Sequence, residues 1–436
     1  MGVDLGLAIA NLLLCVWRLL AALKARRLMT VLWFLLAYFA VFFIPVTMET
    51  QVSWIRGFVD ERVTAGRVEI HNVMLFVFAF NLALAIADAL LHKVFTGPIA
   101  SSHWRIERGA PRLRALLSIL FVYWIAGSVW YFWSTLGMSY RDYVEGASWS
   151  VVFLWASSPL VSLLALQRRW LPALVVCVPF IYFAVHLQVR SFALLSLVPL
   201  AVVGFYQVLD DSSARIRYGR LIRYASIVGG LLVALSIFVS QYKNGVVSFP
   251  DSGMPYGVLQ TATSADRYDE RTGFTSLTLY GWNYINPFMK LVQIDKPDIP
   301  DVPVVIARLL EGVPEDWPIY FHYPALLWSD AYLSFGWAGV GLAVFWAAVL
   351  AIWEAALRRN PLLLALLLPY FVWHCYMLVR GAIAIASVPI AYALYFSLFA
   401  FLLTSGLQLL RRKKAAAAHS VEEPQPMVVA PANLLR

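Results

Sequence analysis

Charge is scarce in this chain. Only 14% of its 436 residues are Asp, Glu, Lys or Arg, against about 25% in an ordinary soluble domain, and that deficit excludes a conventional water-soluble fold. Cysteine is scarcer still: Cys15, Cys177 and Cys375 are the only three. Each falls in an apolar run, and no spacing joins them, so a disulfide framework and a cysteine-built metal site are excluded and the three read as small packing residues. The chain has no phosphate-cradling Gly-rich loop, no dinucleotide fingerprint and no His-Glu-x-x-His. It also lacks the ladder of acidic residues that ion-coupled transporters carry through their spans; the deep spans read as almost purely apolar. No basic segment precedes the first apolar run, and Lys24, Arg26 and Arg27 follow it at once, so no cleavable signal peptide is expected. Met1-Gly2 lacks Ser or Thr at position 6, which argues against myristoylation.

What the chain does have is apolar length. Hydrophobic residues make up 61% of it, in repeated runs of about 17–22 residues broken by short basic or polar stretches, the pattern of a polytopic membrane protein. The fold class expected is all-α, a polytopic membrane helical bundle of about eleven transmembrane helices. The spans are expected at 5–23, 28–46, 71–91, 115–136, 149–166, 171–188, 191–209, 222–240, 328–353, 361–378 and 383–405. Lys and Arg fall unevenly between the two sets of connections, 20 against 12. By the positive-inside rule this puts the amino terminus outside and the carboxyl terminus in the cytoplasm. The same asymmetry accounts for the net charge of +9 without a nucleic-acid partner, because the basic residues are dispersed through the cytoplasmic connections.

One connection is long. Residues 241–325 form a large external loop between late spans, with thirteen aromatic residues and a helix expected near 301–312, capped by Asp301 and Gly312. Its ten acidic and six basic residues make it net acidic. Rings and carboxylates suit a hydrogen-bonded, stacked carbohydrate better than a free phosphate, although interfacial anchoring explains some of the rings. Residues 1–410, loop included, read as one membrane bundle, and 411–436 as a disordered cytoplasmic tail.

Two stretches echo each other. Residues 189–201 read V-R-S-F-A-L-L-S-L-V-P-L-A and residues 379–391 read V-R-G-A-I-A-I-A-S-V-P-I-A. Arg190 and Arg380 each interrupt an apolar tract at an external hairpin, nine residues before a proline. A charge kept there is costly unless it is used, and the guanidinium fork matches phosphate; snorkelling to the interface is the plainer role. His322, in Ile-Tyr-Phe-His-Tyr-Pro at the end of the loop, is a candidate general base because imidazole titrates near neutrality. Asp330 competes for that role, or caps the next helix. His186 and Gln188 just before Arg190, Lys243, Arg267 and Arg271 in the loop, and Tyr323 and Tyr332 beyond it complete the candidate substrate contacts.

The layout resembles the bacterial O-antigen and exopolysaccharide polymerases of the Wzy type, and the related O-antigen ligases. The resemblance rests on the span number, the late external loop, arginines at external hairpins, and Tyr-Leu-Ser-Phe-Gly-Trp-Ala-Gly at 332–339 opening a span. It implies a metal-independent, cofactor-free glycosyltransferase with a GT-C-like fold in the inner membrane. That enzyme would transfer a glycan from undecaprenyl diphosphate to a second lipid-linked repeat unit. Arg190 and Arg380 would be its diphosphate ligands and His322 its activating base. A lipid-linked donor and acceptor, the bilayer, a flippase and a chain-length regulator would be its partners. A lipid-linked glycan flippase is the alternative of a different class; for it, a polar cavity through the bundle and shorter external loops are expected.

Overall fold

In the computed structural model of the chain, the described residues are 2–41, 43–44, 67–95, 104–106, 111–136, 149–187, 191–211, 275–294, 305, 326–380 and 383–422, and they contain helix and no strand. In chain order the helices are α1 (Gly2–Lys24), α2 (Thr30–Val41), α3 (Arg67–Phe95), α4 (Pro111–Thr135), α5 (Trp149–Ala156), α6 (Pro159–Leu166) and α7 (Trp170–His186). They continue as α8 (Ser191–Asp211), α9 (Thr275–Leu291), α10 (Leu327–Phe335), α11 (Gly341–Arg358), α12 (Pro361–Arg380) and α13 (Ile383–Glu422), with a 3₁₀ turn over Gly336–Val340 joining α10 to α11. Seven stretches are long and apolar enough to cross a membrane, and three shorter apolar helices accompany them. All of these fall on expected spans. The span expected at 222–240 lies outside the described residues, as does the helix expected near 301–312. The protein is a polytopic helical membrane protein.

The helix α12 is the axis of the bundle. Its sequence, Pro-Leu-Leu-Leu-Ala-Leu-Leu-Leu-Pro-Tyr-Phe-Val-Trp-His-Cys-Tyr-Met-Leu-Val-Arg, is apolar on every side, and a helix without a polar face must be buried all round or face lipid. Here it is buried, packed against α2, α6, α8, α10, α11 and α13. It starts cleanly because Pro361 opens the first turn, where its missing N–H costs nothing, and the Leu362 amide donates to Asn360 Oδ1 at 2.8 Å. Around it, α1 and α3 pair with α2 and α11 on one side, and α4 and α5 pair with α13 on another. The outer faces are apolar too: Trp133, Val94, Leu171 and Leu402 are all exposed, a surface suited to acyl chains and unsuited to water.

Two expected features of the chain take a different form. The span expected at 149–166 is broken at Ser157-Ser158 into α5 and α6. Pro159 has no N–H to return to the Trp155 carbonyl four residues back, and in lipid that carbonyl must find another donor. The Ser158 amide supplies one in a tighter turn, donating to Trp155 O at 3.0 Å, and the neighbours add to it: Tyr370 Oη lies 3.2 Å from Trp155 O and 2.7 Å from Ser397 Oγ, which in turn lies 3.0 Å from Ala156 O. Two hydroxyls from α12 and α13 thus reinforce the two carbonyls at the break. The carboxyl-terminal segment also departs from expectation. The helix α13 runs on to Glu422, so 411–422, expected to be disordered, continue the last span. Ala415–Ala418 are the reason, alanine being the best helix former.

The helix α9 belongs to the long loop, yet it packs along α13 and touches α10. It is inside-out. Asn283 and Asn286 are buried while Ile285 and Phe288 are exposed, the reverse of a helix bathed in water. That arrangement fits a helix whose outer side meets lipid and whose polar side lines the bundle.

Candidate functional site

The helix that ends at Arg380 and the helix that opens just after Arg190 pack together. Arg380 is the last residue of α12, and Ser191, which follows Arg190, opens α8; α8 packs on both α7 and α12. Arg380 is half-buried and its Nη1 donates to Tyr376 Oη at 2.7 Å. The Tyr376 ring, one turn back, also lies 5.8 Å from the guanidinium carbon. From Tyr376 a file of rings leads across the bundle: Trp373 at 6.4 Å, then Trp155 at 5.5 Å, then Phe192 at 5.6 Å. Phe192 stands two residues after Arg190 and is further held by Tyr131 at 5.5 Å and Phe183 at 6.0 Å. Rings with few rotamers, fully packed, make a rigid base for whatever the corners carry. Arg190 and Gln188 themselves lie outside the described residues, as do His322, Tyr323, Lys243, Arg267 and Arg271.

The other candidates are placed as follows. His186 stacks on Tyr182, ring centroids 5.5 Å apart and 9° from parallel, beside the ring file. Asp330 does not cap its helix. The cap residue is Leu326, whose amide donates to Ser329 Oγ at 3.2 Å. The helix begins at Leu327, so Asp330 falls one turn inside, with the Ser334 hydroxyl donating to it at 3.4 Å. Tyr332 packs against Phe76 of α3 at 4.9 Å. At the same end of the bundle His71, which reads as incidental in the sequence, meets Asp4 at 2.5 Å and ties α3 to α1.

The loop helix α9 brings a further histidine into view. His374 of α12 is buried, with Tyr280 Oη of α9 at 3.2 Å from its Nε2. Its ring stacks on Trp353 at 5.2 Å and lies 6.0 Å from Trp346. Tyr284, one turn along α9, accepts a hydrogen bond from Tyr395 Oη at its carbonyl, 2.7 Å away. A phenol of α9 and an imidazole of α12 therefore meet inside the bundle, and two further buried amides, Asn283 and Asn286, lie on the same helix α9. Sequence reasoning passed over His374 because a histidine amid aromatic residues in a span carries no local motif.

At the opposite end lies a cluster that an almost purely apolar set of spans does not anticipate. Asp88 of α3 and Glu354 of α11 are both fully buried. Arg18 reaches Asp88 at 2.5 Å, Arg27 bridges Asp88 at 2.6 Å and Glu354 at 3.0 Å, and Arg358 meets Glu354 at 2.7 Å. The Leu28 amide at 2.7 Å and Trp33 Nε1 at 3.0 Å donate to Glu354 and Asp88 respectively. The individual acids were visible inside apolar runs, a signal in its own right; their partners were not. Cys15, Cys177 and Cys375 are buried and unpaired by disulfides, as expected. Among the described residues no three His, Cys, Asp or Glu side chains gather as a metal site.

Comparison with protein-family models, with curated proteins and with solved structures finds no match to this chain.

Proposed function

We propose that this protein is a membrane-embedded glycosyltransferase with a GT-C-like bundle. It polymerises undecaprenyl-diphosphate-linked repeat units of O-antigen or exopolysaccharide at the external face of a bacterial inner membrane. One observation carries the reading: the helix end that bears Arg380 and the helix start that follows Arg190 share a single packed file of rings. In this reading the guanidinium groups of Arg190 and Arg380 grip the diphosphate of a lipid-linked donor. As the bond from the sugar anomeric carbon to the diphosphate oxygen breaks, charge builds on that oxygen, and fixed cations stabilise it most in the transition state. The new bond forms from an acceptor hydroxyl, whose proton passes to His322 or Asp330. The amide and phenol face of α9 suits the hydroxyls of a carbohydrate.

A second reading has one observation in its favour. The buried Asp88–Arg27–Glu354 cluster is the kind of intramembrane charge that transporters use, so a lipid-linked glycan flippase is the competing function.

A gel of surface and lipid-linked polysaccharide separates them, using a deletion strain complemented with wild type, Arg190→Ala or Arg380→Ala. The expected result is long chains with wild type. With either variant, only single repeat units on their normal acceptor are expected, a loss of about a hundredfold or more in polymer at unchanged protein level. Near-normal chains in a variant would remove that residue from the clamp. Long chains stranded on undecaprenyl diphosphate in the deletion strain would make the protein a ligase, and unflipped precursor would make it a flippase. Activity is expected to survive chelation of divalent cations, since the arginines supply the positive charge; a strict need for added metal would count against the mechanism.

A further inference from the structure

A cavity of about 640 Å³ opens at the basic end of the bundle, remote from the arginine corners, where α4 begins, α12 begins and α13 leaves the core. Its polar lining is Arg105, Arg112, Asn360, Ser405 and Gln408, and no Asp or Glu is among the described residues that line it. A volume of this order takes a small ligand or the polar part of a large one. Arg112 is held in place: its Nη2 donates to Ser405 Oγ at 2.5 Å and its guanidinium carbon lies 4.3 Å from the centre of the Phe401 ring. A guanidinium has five N–H donors, and here Nε is buried with no protein acceptor among the described residues. The group is therefore oriented by the protein and only partly satisfied by it. The first turns of α4 and α12 also line the cavity, at Leu113 and Leu362, and both present the positive ends of their helices.

The charge identifies an anion, and the wall identifies where it comes from. Leu409 lines the cavity and is itself exposed, with Leu410 beside it and Leu402 two turns back on the same outward side. A soluble anion gains nothing from that wall, whereas a lipid lays its chains along it. Beyond Gln408 the helix continues with Arg411, Arg412, Lys413 and Lys414, and such basic groups beside a span attract anionic headgroups. We propose that this cavity binds the phosphodiester headgroup of an anionic membrane lipid, held by Arg105 and Arg112, with its acyl chains on the outer face of α13. The site is independent of the arginine corners and of any reaction there.

The test uses the full-length protein in detergent, titrated with short-chain phosphatidylglycerol, short-chain phosphatidylcholine or inorganic phosphate and read by native mass spectrometry and thermal unfolding. Phosphatidylglycerol is expected to bind and raise the unfolding temperature, and phosphatidylcholine to do neither. Arg105→Gln and Arg112→Gln should each weaken phosphatidylglycerol about fivefold. Ser405→Trp, which places a bulky ring in the cavity beside Arg112 without removing charge, should weaken binding strongly, while Arg114→Gln, outside the lining, should leave it unchanged. Arg105 is exposed, so its variant folds even if Arg112→Gln does not. Undiminished phosphatidylglycerol binding to Arg105→Gln and Ser405→Trp would overturn the proposal. Inorganic phosphate that binds and stabilises as well as the lipid would overturn the lipid assignment and make the ligand a soluble phosphate.

Discussion

Glu354→Ala is expected to destabilise the protein by about 3–5 kcal/mol, the cost of leaving a buried charge without its partner. The expectation follows from what Glu354 holds. One of its oxygens accepts from the Leu28 amide and Arg358, the other from Arg27 through Nη2 and Nε. Removing the carboxylate leaves Arg27 with Asp88 and takes Glu354 from Arg358, in a cluster where three guanidinium groups already outnumber two acids. Glu354→Gln keeps the shape and one acceptor but points an amide at a guanidinium, so a smaller loss of about 1–3 kcal/mol is expected. Thermal unfolding of the purified protein, followed by tryptophan fluorescence and by retention of a monodisperse elution peak, measures both. An alanine variant within about 1 kcal/mol of wild type would put the cluster in contact with water, where ion pairs are worth that little. The same result would weaken the case for charge-coupled transport.

The second large effect is steric. Gly127 of α4 crosses α5 so closely that a Cβ there would run into the Leu154 backbone, its N and Cα atoms above all. Backbone cannot rotate away as a side chain can. Gly127→Ala therefore forces α4 and α5 apart and is expected to cost about 1–3 kcal/mol, with Gly127→Leu costing more. The separation would also disturb the ring file, because Trp155 follows Leu154 directly and Tyr131 lies one turn along α4. Gly406 of α13 provides the internal contrast, since a Cβ there meets nothing. Gly406→Ala should be neutral or stabilising by up to about 1 kcal/mol, the helix-propensity difference. If the two alanine variants unfold at the same temperature, the close crossing of α4 and α5 is wrong.

Helix positions were legible because each apolar run is a local property: a stretch long enough to cross a bilayer declares itself without reference to the rest of the chain. The echo around Arg190 and Arg380 is a local pattern of the same kind, and Arg190 itself lies outside the described residues. Partnerships were not legible. Arg27 and Glu354 are separated by 327 positions, and neither residue type nor spacing says they meet. The break at Ser157 was half-visible, since Pro159 stood in the middle of the expected span, but only the presence of Tyr370 and Ser397 shows why the chain tolerates a broken helix there. The helix α9 was hidden by its composition. Gly281, Pro287 and two asparagines read as loop, because patterning is normally judged against water outside and oil inside, and this helix has them reversed.

The broken span has a consequence for how the protein is made. Trp155 and Ala156 leave the ribosome more than two hundred residues ahead of the hydroxyls that complete them, 215 positions for Tyr370 and 241 for Ser397. Until translation has delivered α11, α12 and α13, the Ala156 carbonyl lacks the Ser397 hydroxyl, and Arg27 has Asp88 but not yet Glu354. A nascent chain that ends before residue 361 lacks the helix against which six others pack, so the bundle closes only late in synthesis.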